Sequence, residues 1–331
     1  MSSPGVPQIK YLARMSEEQR AHVFELAKVL GQRLGAWSSR YPGFMQANRI
    51  PQASLTLAAT APFLDADALL PPAMLMAWIF AVDDLFDGSH ERGDLAVPAS
   101  VLLPRLERCL VLLGDPRQTD TGGEQMLEVM RDVRDALERH RLFAQLRQPL
   151  AQRLRDMVYA MKQESEWSAG GTQRPALSIS DYFVTGRLTT GALPIYLSTM
   201  TTMGDDSVPA HLPRLQEMSH QAACGIRCAN ELRGYEREVR EGKLNGLRMV
   251  QLEIQAGQRR KKKGERLKDE DILERARERV KTGIRRRLAR CQKVAERGER
   301  TTSGNPERFI LNIARFICDF YVHHDFHPQG N

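Results

Sequence analysis

The chain has 331 residues, long enough to bury a substantial core. Hydrophobic residues make up 42% and charged residues 27%, which excludes a disordered chain, and five Cys over that length exclude a disulfide framework. The net charge of +7 leaves three partner classes: nucleic acid, an anionic surface, or an anionic small molecule. No apolar run of membrane-spanning length and no signal-peptide pattern are read in the sequence, so a soluble protein of the reducing cytoplasm is expected.

In chain order, residues 1–15 carry Pro4, Gly5 and Pro7 and are expected to form a loose N-terminal arm. Ser16-Glu17-Glu18-Gln19 offers an N-cap followed by acids, and Phe24, Leu26, Leu30 and Leu34 continue at helical spacing. Pro42-Gly43 breaks that helix, and 52–69 is rich in Ala, Leu and Thr. Pro71-Pro72 reads as a turn that opens a helix over 73–87, apolar on all sides until its acidic end and therefore buried. Amphipathic helices are predicted near 97–114, 123–142 and 144–168. A loop follows at Gly170-Gly171, then a helix over 178–203 with a kink at Pro194. Pro209 and Pro213 mark a connection before helices near 214–241, 246–256, 268–299 and 305–324. The highly charged segment 257–285 is the one compositional outlier, and no strand pattern appears. The reading is all-α, one domain over 1–331, with roughly ten or more helices.

Four clusters carry chemistry. Asp83-Asp84-Leu85-Phe86-Asp87 ends the most apolar helix, with Asp83 and Asp87 on one face. Acids at a helix C-terminus are disfavoured by the dipole; either a hard divalent cation offsets them or they face water. Asn230, Gly234 and Glu238 form one stripe of a second helix, with Gly234 leaving its middle open for a water or for helix packing. Arg187 and Gly191 share a face ahead of Pro194; Arg187 suits a phosphate or a surface ion pair. Near the end, Tyr321 is a candidate phosphate donor. The adjacent His323 and His324 point to different sides of a helix and argue against a transition-metal site.

In this order the four pieces resemble a class I terpene synthase, most nearly the kaurene-synthase-like, labdane-related diterpene synthases. Asp83-Asp84-Leu85-Phe86-Asp87 matches that family's DDxxD motif. Asn230 and Glu238 match its second metal motif, with departures at Glu231 and Gly234. Gly at that place, and the wording Gly242-Lys243-Leu244-Asn245 after it, are similar to the diterpene group. Arg187, Thr190 and Gly191 resemble the family's diphosphate sensor, linker and effector. Glu164 through Trp167 and Ser180-Asp181-Tyr182 also read like the family, whereas its bacterial Arg-Tyr pair is absent as such. No DxDD stretch is present, so protonation-initiated cyclisation is not expected.

The resemblance implies an α-helical bundle around a central apolar cavity and a lyase that ionises a prenyl diphosphate. Three Mg²⁺ ions would be held by Asp83, Asp87, Asn230 and Glu238, with a water at Gly234. Arg187, Arg237 and Tyr321 would bind the diphosphate. Trp78, Phe80, Phe183, Tyr196 and Phe316 are candidate aromatic cavity walls, each set against ordinary core packing. A C20 substrate is expected, geranylgeranyl or a bicyclic copalyl-type diphosphate, the latter supplied by a separate class II cyclase; farnesyl diphosphate is the runner-up. A homodimer is left open. The rival is a helical nucleic-acid-binding or scaffold protein built on the basic 257–287 segment. That segment lacks aromatics, and acids alternate with its bases, so it reads as a solvated loop and helix and no nucleic-acid partner is expected.

Overall fold

The computed structural model describes residues 9–87, 97–169, 177–259 and 267–325, and every regular element among them is a helix. The short α1 (Lys10–Ala13) precedes α2 (Glu17–Ser38), a 3-10 turn (Ala47–Arg49) and α3 (Ile50–Thr60). Then come α4 (Ala66–Asp87), α5 (Ala99–Gly114), α6 (Gln125–Glu138), α7 (Phe143–Ala169), α8 (Ile179–Thr189) and α9 (Ala192–Thr202). The C-terminal third holds α10 (Val208–Arg240), α11 (Gly246–Arg259), α12 (Asp269–Glu296) and α13 (Asn305–His323). The start of α2 follows directly from its sequence. Ser16 Oγ accepts from the Gln19 amide at 3.1 Å and the Gln19 side chain accepts from the Ser16 amide at 3.0 Å, a reciprocal capping box.

α4 is the central staff of the bundle. It packs on α9, α6, α2 and α3, and nearly all of its apolar side chains are buried. Opposite it runs α10, braced by α12 and α13. A smaller cluster of Leu247, Val250, Ala276 and Val280 ties α11 to α12.

Several boundaries differ from the sequence reading. α4 begins at Ala66 and passes through Pro71-Pro72, where a turn is expected. Asp65 caps it by accepting from the Ala68 amide, and both prolines are buried in helical contacts that offset the missing N–H groups. α4 is also long and apolar enough to cross a membrane, with a mean hydropathy of 1.5. This corrects the reading that no such run exists, although most of the helix is buried inside the bundle. The break between α8 and α9 falls at Thr190-Gly191, not at Pro194. Gly191 adopts φ 67°, and Pro194 sits in the first turn of α9, where no N–H is needed. α10 likewise starts at Val208, with Pro209 in its first turn. The described part of the N-terminal arm is not loose: Ile9 and Leu12 are buried, and Tyr11 meets Phe316 edge-on. Of the basic block, 260–263 lies outside the described residues, whereas Arg285, Arg286 and Arg287 are exposed on α12.

Candidate active site

A cavity of about 380 Å³ opens between α4, α7, the α8–α9 break, α10 and α13. α4 presents Met76, Ile79, Phe80, Asp83, Phe86 and Asp87 to it, one continuous helical stripe. The stripe is apolar at depth and acidic at the mouth. From the facing side α10 presents Ile226, Arg227, Asn230 and Glu238, while α13 adds Ile313, Ile317 and Tyr321 at intervals of four. Asp83, Asp87, Asn230 and Glu238 therefore border one space.

Polar contacts fix the α10 wall. Asn230 Nδ2 donates to the Tyr321 hydroxyl at 3.0 Å. Asn245 Nδ2 donates to Glu238 Oε2 at 2.9 Å and to the Glu231 carbonyl at 3.0 Å, which gives the Gly242–Asn245 turn its purpose. Lys243, on the same turn, also borders the cavity and stands 3.8 Å from Asp87. A Cβ on Gly234 would collide with the Glu238 carboxylate, which folds back over the glycine. Glycine here makes room for that carboxylate, and Gly234 does not border the cavity.

Arg49 and Arg227 both border the cavity, and Arg227 carries the denser network. Its guanidinium lies 2.9 Å from Glu164 and 2.5 Å from Glu231, donates to the Tyr182 hydroxyl at 2.7 Å, and donates to Thr189 at 3.1 Å. Burial works against its charge, but Glu164 and Glu231 more than offset that, so its pKa lies well above the ordinary value. Glu231, fully buried, also accepts from the Gly246 amide and the Tyr182 hydroxyl. This explains a glutamate where the resemblance leads one to expect aspartate: the longer side chain reaches the amide and the phenol. Arg187 does not border the cavity. It lies within electrostatic reach of His220, lowering the pKa of that burial-depressed imidazole. Arg237 sits outside the lining, paired with Asp325 at 2.9 Å and with Glu238 at 3.6 Å. Thr190, Gly191 and Tyr321 border the cavity.

Of the expected aromatic walls only Phe80 reaches the cavity; Phe86, Trp167 and Tyr182 line it instead. Trp78 lies on the opposite face of α4, donating its indole N–H to the Met126 carbonyl at 3.3 Å. Tyr196 packs edge-on against Phe309, Phe316 stacks with Phe320, and Phe183 meets Tyr182 edge-on. All four fill helix interfaces. Counting back from Asp83 and Asp87 in steps of three and four would have chosen Phe80 and rejected Trp78. Sequence reasoning also missed Arg49. It lies against the Phe80 ring and pairs with Asp84 at 2.5 Å.

Acid excess dominates the electrostatics. Burial and then the Asp87 charge push Asp83 up to about 8. Burial and then Glu231 push Glu238 to about 7. Glu164 is raised by burial against the pull of Arg227. Among the described residues no three His, Cys, Asp or Glu side chains stand close enough to enclose an ion by themselves. Hard oxygen donors on two walls fit Mg²⁺, which takes one or two carboxylates and completes its shell with phosphate oxygens.

The family model described as terpene synthase family 2, C-terminal metal binding, matches residues 74–256, more than half of the chain. Dolabradiene synthase KSL4 from Zea mays, a chloroplastic protein, is 25% identical over 253 residues. The match covers 73% of this chain but 26% of that protein, so this chain spans about a quarter of its length. A variant of the ancestrally reconstructed SVS_A2 protein superposes with a TM-score of 0.71 at 16% identity, covering 89% of this chain and 84% of that one. The 2-methylisoborneol synthase of Streptomyces coelicolor, solved with Mg²⁺ and geranyl-S-thiolodiphosphate, gives 0.63 at 15% identity over 90% of each chain. At those identities the structural likenesses establish the all-α class I fold. The family match carries the assignment further: this chain belongs to terpene synthase family 2, C-terminal metal binding.

Proposed function

We propose that the chain ionises a prenyl diphosphate in the α4–α10 cavity and guides cyclisation of the resulting carbocation. The observation that carries this reading is the stripe of α4, greasy at depth and acidic at the mouth, facing Asn230 and Glu238. An allylic diphosphate has the same polarity, a hydrocarbon chain with an anionic head. Asp83, Asp87, Asn230 and Glu238 would hold Mg²⁺, which when bound neutralises charge developing on the leaving diphosphate. Arg227 and Lys243 add fixed positive charge at the same end, and Tyr321 stands beside Asn230 as a hydroxyl partner for the departing anion. Arg227, and not Arg187, takes the diphosphate-facing role. Phe80, Phe86 and Trp167 offer ring faces to a migrating cation, while Met76, Ile79 and Ile195 exclude water that would quench it. The helices are read as one catalytic unit.

The substrate proposed is C20, geranylgeranyl or copalyl-type diphosphate, on the strength of Gly234 and the Gly242–Asn245 turn; a copalyl-type substrate would come from a separate class II cyclase. Farnesyl diphosphate is the second reading, favoured by a cavity near the low end of the roughly 300–1,000 Å³ range of ligand pockets. The purified chain should be incubated with Mg²⁺ and each of the three diphosphates, and the hydrocarbons identified by mass spectrometry. Mg²⁺-dependent C20 hydrocarbon is the expected result. A C15 product alone would move the assignment to farnesyl diphosphate, and no diphosphate release from any of them would overturn the reading.

A further inference from the structure

A second concavity, of about 970 Å³, lies on the far side of α10 and α13 from the cavity, with Tyr321 bordering both spaces. α10 turns Ala229, Leu232, Arg233 and Glu236 toward it, the face opposite to that bearing Asn230 and Glu238. Its floor is apolar, built from Leu232, Ile284, Leu288 and Val322. Its rim is basic. α12 contributes Arg277, Lys281 and Arg285, which are already paired with Glu274 and Glu278. Lys10 on α1, Arg14 just after that helix and Arg233 on α10 form no ion pair among the described residues, and Arg315 on α13 donates to the neutral Gln292 at 3.0 Å. Seven cations against three acids, Glu236, Glu274 and Asp319, thus border one apolar-floored cleft. A concave surface with an excess of positive charge concentrates anions, and Arg and Lys together grip phosphate oxygens.

We propose that this cleft is a second ligand site, for a phosphorylated amphiphile whose anionic head meets Lys10, Arg14 and Arg233 and whose hydrocarbon lies on Leu232, Ile284 and Leu288. Its chemistry is shared by a soluble prenyl diphosphate and by an anionic lipid headgroup. The site is independent of the Mg²⁺ assignment, because the cleft's charge is positive without any metal.

The full chain should be titrated calorimetrically with inorganic diphosphate and with geranylgeranyl diphosphate in EDTA. The same titrations should be run on a Lys10→Glu, Arg14→Glu, Arg233→Glu variant and on a charge-matched control, Arg286→Glu, Arg297→Glu, Arg300→Glu, placed outside the cleft. Lys10→Glu with Arg14→Glu, both exposed positions, serves as the second variant should the triple one misfold. The expected result is metal-free binding of both ligands, tighter for the prenyl compound, weakened about tenfold or more by the cleft variants and within about twofold of wild type in the control. Sedimentation with phosphatidylserine-containing vesicles at about 0.15 M salt separates the sources. Loss of vesicle binding in the cleft variants alone assigns the lipid headgroup, and absence of vesicle binding assigns the soluble diphosphate. Equal weakening in the control, or no metal-free binding by wild type, overturns the site.

Discussion

Arg227→Met is the perturbation whose outcome the structure specifies most fully. The guanidinium is 13% exposed and lies against two carboxylates, Glu164 at 2.9 Å and Glu231 at 2.5 Å, the second of them fully buried. Removing one partner of a buried charged cluster leaves the other charges uncompensated, at a cost of about 3–5 kcal/mol. With an unfolding entropy of about 2.1 cal/mol/K per residue, a chain of this length should lose roughly 4–7 °C in melting temperature. The sign of the pH dependence follows from the carboxylates. Glu164 and Glu231 are already raised by burial, and loss of Arg227 raises both further. A carboxyl whose folded pKa lies above its unfolded value stabilises most below the unfolded value, and that contribution falls as pH rises through the folded one. The deficit of Arg227→Met should therefore be smaller near pH 5.5 than near pH 8, as read by thermal melts across that range. A deficit that is flat with pH, or one below about 1 kcal/mol throughout, would refute the buried-network argument.

Two further perturbations test other parts of the fold. Asp205 is pushed upward by burial, but hydrogen bonds from Ser207 and Ser303 outweigh this and hold it at about 2. That difference from the ordinary carboxyl is worth about 2 kcal/mol, present above pH 4 and lost as pH falls toward 2. Asp205→Asn should remove it near neutrality and flatten the acid limb of the stability profile, and an unchanged acid limb would contradict the assignment. Gly191→Ala places a Cβ in the left-handed region, 2.9 Å from Ile79 Cγ2 on the rigid α4. A loss of about 2–3 kcal/mol in chemical denaturation is expected, with reduced turnover because Gly191 borders the cavity; wild-type stability would show that the break tolerates a side chain.

The parts of the site legible in the sequence were those set by spacing along one helix. Asp83 and Asp87 at the end of an unbroken apolar run, and Asn230 and Glu238 at multiples of four, face the cavity because helical periodicity alone brings them to one side. What could not be read was the rotation of each helix against its neighbours. Arg187 and Arg227 are equally plausible as letters, but only the turn of α10 toward α7 puts Arg227 between Glu164 and Glu231. The same uncertainty left Trp78, Tyr196, Phe183 and Phe316 as candidates between cavity wall and core packing, since large apolar side chains fill helix interfaces as readily as pockets. Local signals failed where tertiary burial overrode them. Pro71 and Pro72 are carried inside α4 by packing, and Ile9 and Leu12 are ordered by contacts that no local pattern announces. Arg49 escaped notice because its partner Asp84 is distant in sequence and the pairing requires the closed bundle.

The central claim is that carboxylates on α4 and α10 act on one diphosphate through shared Mg²⁺. The most direct measurement is diphosphate release from geranylgeranyl diphosphate across a Mg²⁺ titration, for the native chain, Asp83→Asn and Glu238→Gln, with folding checked by circular dichroism. The account predicts release that requires Mg²⁺ in the native chain and falls by about a hundredfold or more in each folded variant. Native-like release by both variants, or release from the native chain in EDTA, would contradict it.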